Sequence, residues 1–140
     1  MIAIYENVLE AICDDIGGFC AERGGIMGGK RHGEIDTFYF DRDAIKKSDI
    51  NTYIPSVDKL NFVIREWINR GTEFKGFVHS HEGRKELSPT DVEYATQIVK
   101  MMGKDVLMGI IGGENRFPLL LFSVTESREI SKLEYRIKRY

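Results

Sequence analysis

The chain has 140 residues, enough for one hydrophobic core but not for two, so a single domain over 1–140 is expected. Its 42% hydrophobic and 30% charged residues match a soluble globular protein and exclude a low-complexity or collagen-like chain. A net charge of −2 gives no electrostatic case for nucleic acid as a partner, and the apolar runs are too short to span a membrane.

Near the N-terminus, Glu6 and Glu10 spoil a signal-peptide reading. Two cysteines, Cys13 and Cys20, point to reduced, partly buried thiols in a cytoplasmic protein, with a Cys13–Cys20 disulfide as the alternative. Ile4, Val8, Ile12 and Ile16 recur at helical spacing, which predicts a helix over 4–16 stopped by Gly17-Gly18. Residues 20–29 and 33–41 read as a strand pair around Lys30-Arg31-His32, and His32 in that turn is given no metal role. A short extended piece over 50–54 leads into Pro55. Ser56 then caps a second helix, with Leu60, Val63, Ile64, Trp67 and Ile68 on one face and Gly71 at the end. Such a stripe belongs to a core.

Residues 73–78, with Phe74, Phe77 and Val78, suit a strand. Ser88-Pro89-Thr90-Asp91 is a helix start: serine at the N-cap, proline at the first helical position and an acid in the first turn. Val92, Ala95, Val99 and Met102 continue it to Gly103. Residues 106–111 and 117–124 are apolar strands joined by a turn containing Gly112-Gly113-Glu114-Asn115-Arg116. In the tail over 130–140, Leu133, Tyr135 and Ile137 alternate and favour a final strand over a helix. Its basic residues Lys132, Arg136, Lys138 and Arg139 are read as a solvated face. Alternating strands and helices predict an α/β fold, a mixed β-sheet flanked by helices on both sides.

Chemistry concentrates in His79-Ser80-His81 and Asp91. Side chains alternate along a strand, so His79 and His81 share a face. Two imidazoles and one carboxylate form a three-ligand set suited to zinc, leaving a fourth position for water. Taken separately, Ser88 and Asp91 form a helix-capping pair, and His-x-His is a polar strand face. It is their combination that points to a metal. Other zinc signatures are missing: there is no helical His-Glu-x-x-His, and neither cysteine lies in a Pro-Cys-x-x-Cys motif. A Gly-x-Ser-x-Gly elbow and a Walker loop are absent as well.

One further motif lies upstream, Glu22-Arg23-Gly24-Gly25-Ile26-Met27-Gly28. Together with His79-x-His81 and Ser88-x-x-Asp91, it resembles the JAMM (JAB, MPN-plus) metalloprotease family in its compact bacterial and archaeal form, over residues 4–124. The resemblance implies a cytidine-deaminase-like architecture and one Zn2+ per chain held by His79, His81 and Asp91. It implies Glu22 as general base and Ser88 as donor to the oxyanion. It also implies hydrolysis of a peptide or isopeptide bond after the C-terminal Gly-Gly of a ubiquitin-like or sulfur-carrier protein. The chain departs from the family in two places. Glu82 stands where proline is common, and the loop between His81 and Ser88 is one residue short. Two alternatives accompany this reading: a JAMM-like scaffold without activity, and a metal hydrolase of a small amide. All five matched residues are present, which favours the enzyme.

Overall fold

The computed structural model describes residues 1–19, 21–46, 53–113 and 117–139. The elements run β1 (Ile2–Tyr5), α1 (Glu6–Asp15), β2 (Gly24–Gly29), β3 (Glu34–Ile35), β4 (Thr37–Phe40), a 3-10 turn (Arg42–Lys46), α2 (Val57–Asn69), β5 (Glu73–His81), α3 (Pro89–Met102), β6 (Val106–Gly112), β7 (Leu120–Val124), β8 (Ile130–Leu133) and β9 (Tyr135–Lys138). A six-stranded sheet has the order β4-β2-β5-β6-β7-β8, and a three-stranded sheet the order β3-β1-β9. The large sheet is mixed: β5 and β6 are parallel and its other pairs antiparallel. Parallel neighbours need a long crossover, and α3 supplies it between β5 and β6.

Helices cover both faces, as the alternation of elements predicts. On one side Val8, Ile12 and Ile16, from α1 and the residue that ends it, pack with Met27, Val78, Ile111 and Leu121. On the other, α2 and α3 contribute Leu60, Trp67, Ala95 and Val99 against Ile26, Phe77, Val106, Met108 and Val124. A bulge adjusts this second face. Met27 pairs with Gly76 but Gly28 with Phe74, so Lys75 is an extra residue in β5. It puts Phe74 on the same face as Phe77, where their rings meet edge to face at 5.1 Å. Strict alternation would have placed these two on opposite faces.

Several boundaries differ from the sequence reading. The predicted helix over 4–16 starts at Glu6, and Ile4 lies in β1, where it pairs with Ile35 and Ile137. Ile4 fits either periodicity, and its strand partners lie far along the chain, so local spacing could not separate the two. The predicted strand over 33–41 breaks at Asp36, whose carboxylate accepts from Lys30 N and from the Thr37 hydroxyl. There the chain passes from the small sheet to the large one. Glu134 marks a similar change: the expected final strand is two strands, β8 in the large sheet and β9 in the small. Of the predicted strand over 117–124, only Leu120–Val124 is strand. Ser56 precedes α2 but makes no side-chain cap bond.

Cys13 is exposed on α1, not partly buried. Cys20, and with it the Cys13–Cys20 alternative, lies outside the described residues, as do 50–52 of the expected extended piece and 114–116 of the predicted turn. Among the described residues no helix is long and apolar enough to cross a membrane.

Candidate metal centre

The site forms where β5 ends and α3 begins. In the ladders His79 sits opposite Gly24 and Ile110, and His81 opposite Gly112. Both imidazoles project from one face and are 5% exposed. Ser80 faces the other way. Its hydroxyl accepts from Arg23 N at 3.0 Å and its own N–H donates to Arg23 O at 2.9 Å. These two bonds clamp the residue after Glu22 to the histidine strand.

From the helix side, α3 brings Asp91 to the histidines through its cap. Ser88 Oγ accepts from Asp91 N at 3.1 Å, and Asp91 Oδ2 accepts from Ser88 N at 2.9 Å. This reciprocal box fixes the Asp91 carboxylate, Pro89 supplies the first helical residue, and Gly103 closes the helix in the left-handed region at φ 68°. The connecting loop turns at Gly83, whose φ of 70° is costly for other residues. The shorter loop therefore still delivers Ser88 and Asp91 to the end of β5. Glu82 is exposed at the start of that loop.

The ligand-type atoms of His79, His81 and Asp91 converge. His79 Nε2 is 2.8 Å from His81 Nε2 and 3.1 Å from Asp91 Oδ1, and His81 Nε2 is 3.0 Å from Asp91 Oδ2. Ligands about 2.0–2.1 Å from a tetrahedral zinc stand roughly 3.3 Å apart, so a few tenths of an ångström of expansion would admit the ion. Nitrogen and oxygen donors suit it as well, and the three residues could hold one metal ion. Burial pushes the Asp91 carboxyl up, but hydrogen bonds from His79 and His81 outweigh it and hold the group well below the usual carboxylate range. An imidazole that binds metal through Nε2 carries its proton on Nδ1, and His81 Nδ1 is buried with no hydrogen-bond partner among the described residues.

Of the five residues singled out in the sequence, three form this cluster. Ser88 joins through its cap with Asp91. Glu22 is tied to the site more indirectly: its Oε1 accepts from Tyr53 N at 3.2 Å, and the Tyr53 ring stacks on His79 at 6.3 Å and 24°. Burial, then the charge of Asp41 and a bond to it, push the Tyr53 phenol up, so it stays neutral. Sequence reading missed Tyr53 and Asp41. Neither lies in a motif, and they meet only because the chain returns to β2 after β4.

Neither the protein-family models nor the curated proteins contain a match to this chain. Solved structures do match. A solution structure from Desulfitobacterium hafniense aligns with a TM-score of 0.76 at 16% identity, covering 100% of this chain and 94% of the other. One from Salinibacter ruber gives 0.63 at 16% identity over 98% and 92%. The crystal structure of a JAB1/MPN domain protein from Archaeoglobus fulgidus gives 0.51 at 15% identity over 98% of both chains. The fold is accordingly MPN-like. Within it, the chain carries a His-His-Asp group, its two histidines buried, that could hold a metal ion.

Proposed function

We propose that the chain is a zinc-dependent hydrolase that cleaves a peptide or isopeptide bond after the C-terminal Gly-Gly of a ubiquitin-like or sulfur-carrier protein. The observation that carries this reading is the convergence of His79 Nε2, His81 Nε2 and the Asp91 carboxylate at 2.8–3.1 Å at one end of β5. When bound there, zinc supplies Lewis-acid polarisation of the scissile carbonyl and lowers the pKa of water to about 7. Glu22 takes the proton released by the attacking water and later delivers it to the leaving amine. Its hydrogen bond from Tyr53 engages Oε1, and Oε2 carries the proton. The Ser88 hydroxyl accepts from Asp91 N through a lone pair, so its own proton is still there to donate to the developing oxyanion. An extended substrate tail would pair with a sheet edge, which among the described residues β4 forms two strands from β5.

The test combines metal content with cleavage. Zinc-loaded protein is incubated with ubiquitin-like and sulfur-carrier fusions extended beyond Gly-Gly, and products are weighed by mass spectrometry. Cleavage after Gly-Gly is expected. Glu22→Gln keeps the size of the side chain but cannot act as a base, so it should retain zinc and lose at least ~100-fold in rate. Cleavage by Glu22→Gln at the wild-type rate would reduce Glu22 to a structural residue.

A further inference from the structure

Tyr53 joins three parts of the site. Its hydroxyl donates to Asp41 Oδ2 at 2.8 Å, its backbone N–H donates to Glu22 Oε1 at 3.2 Å, and its ring stacks on His79. Asp41 is a firm anchor. It is 1% exposed, the same Oδ2 accepts from Ser56 N at 2.9 Å, and its own N–H donates to Gly24 O at 2.9 Å. Gly24 completes the arrangement: a Cβ at that position would overlap the Tyr53 ring. Gly24 also pairs with His79 across β2 and β5, so the ring lies over that pair. Burial alone calls for a partner on the hydroxyl, but the ring contact with His79 and the backbone bond to Glu22 bring Tyr53 against two further residues of the site.

We infer that Tyr53 is a positioning residue: locked by Asp41, it aims the Glu22 carboxylate with its backbone N–H and packs the His79 imidazole with its ring. The part concerning Glu22 rests on the hydrolase reading above. The part concerning His79 requires only that the His-His-Asp group binds metal. Loss of the ring frees His79 to turn out of the ligand geometry. Loss of the Asp41 bond releases the backbone that holds Glu22.

Two readouts test this on the full chain. The first needs no substrate: zinc release from loaded protein into a chromogenic chelator at 25 °C. Tyr53→Ala should release zinc about 10-fold faster than wild type, as loss of an outer-shell support does, and Tyr53→Phe, which keeps the ring, should release it at close to the wild-type rate. The second is turnover. Tyr53→Phe should lower kcat with KM within about twofold, because only the aim of Glu22 changes. Tyr53→Ala should lower kcat by about 100-fold. In the Glu22→Gln background Tyr53→Phe should add little, since both changes act through one carboxylate. A merely structural role would lower the melting temperature of Tyr53→Phe and leave its kcat unchanged. Unchanged zinc release in Tyr53→Ala, or rate losses that multiply in the double variant, would overturn the inference while leaving the hydrolase reading standing. Should Tyr53→Ala fail to fold, Tyr53→Phe and Asp41→Asn carry the kcat comparison. A wild-type chain that binds no zinc overturns both.

Discussion

Two helices of this protein begin with a serine and an acid in the first turn, and they begin differently. At α3, Ser88 and Asp91 cap each other reciprocally. At α2, Ser56 makes no side-chain cap bond, and its hydroxyl is buried without a hydrogen-bond partner among the described residues. Its backbone N–H goes to Asp41 instead. The register of the acid accounts for part of this. Asp91 is the third residue of its helix and reaches back to the N-cap, whereas α2 has Lys59 there and Asp58 one position earlier. A tertiary carboxylate accounts for the rest, having taken the N–H that a local acid would have satisfied. A serine and an acid thus mark where a helix starts without deciding which group satisfies its end. At α3 the carboxylate that closes the cap also faces His79 and His81, so one side chain serves the backbone and the candidate metal site together.

The sharpest way to break this contrast is to remove the shared carboxylate. Asp91→Ala should lose its zinc and its hydrolysis, by elemental analysis and cleavage assay. Chelation extends the same test. With free zinc about 100-fold above its dissociation constant, binding contributes ~2.7 kcal/mol of stability. A chelator should therefore lower the unfolding midpoint of wild type and leave that of Asp91→Ala unmoved. One zinc per chain in Asp91→Ala would mean that Asp91 is only a cap.

Ser88 separates the two roles at a finer scale. Ser88→Ala should cost ~1 kcal/mol in denaturant unfolding for the lost cap, and ~100-fold in turnover with zinc still bound for the lost oxyanion donor. Ser88→Asp keeps a capping acceptor but puts negative charge where an oxyanion must form, so it should fold about as well as wild type and be inactive. An active Ser88→Asp enzyme would make the start of α3 as purely structural as that of α2.

The smallest effect is expected at the other helix. Because the Ser56 hydroxyl has no partner among the described residues, Ser56→Ala removes a buried unsatisfied group. Its unfolding free energy should change by less than about 0.5 kcal/mol, and its turnover should be that of wild type. A loss near 1 kcal/mol would mean that Ser56 caps α2 in solution, and the two helix starts would then be alike.

Much of the centre was legible because it is built from short-range rules. Strand alternation alone puts His79 and His81 on one face, and cap chemistry alone puts Asp91 in the first turn of α3. What stayed hidden depends on pairs far apart in sequence. The role of Ser56 turned on Asp41, and the surroundings of Glu22 on Tyr53. Phe74 joined Phe77 on one face through a bulge at Lys75 that the alternation of β5 does not announce. Ile4 has helical spacing to Val8, while β9, its partner in the small sheet, begins over 130 residues later.

By itself the sequence determined the α/β class, the histidine pair, the capped start of α3 and the apolar stripes of the helices. Each follows from residues within a turn or two of one another, where backbone geometry leaves few choices. Only the tertiary structure decided that the strands divide between two sheets, changing over at Asp36 and Glu134, and that Tyr53 meets Asp41, Glu22 and His79. Backbone pairing in a sheet is open to any strand with free N–H and C=O groups, so local pattern does not choose the partner. The choice is made when the apolar faces of all the elements are buried together.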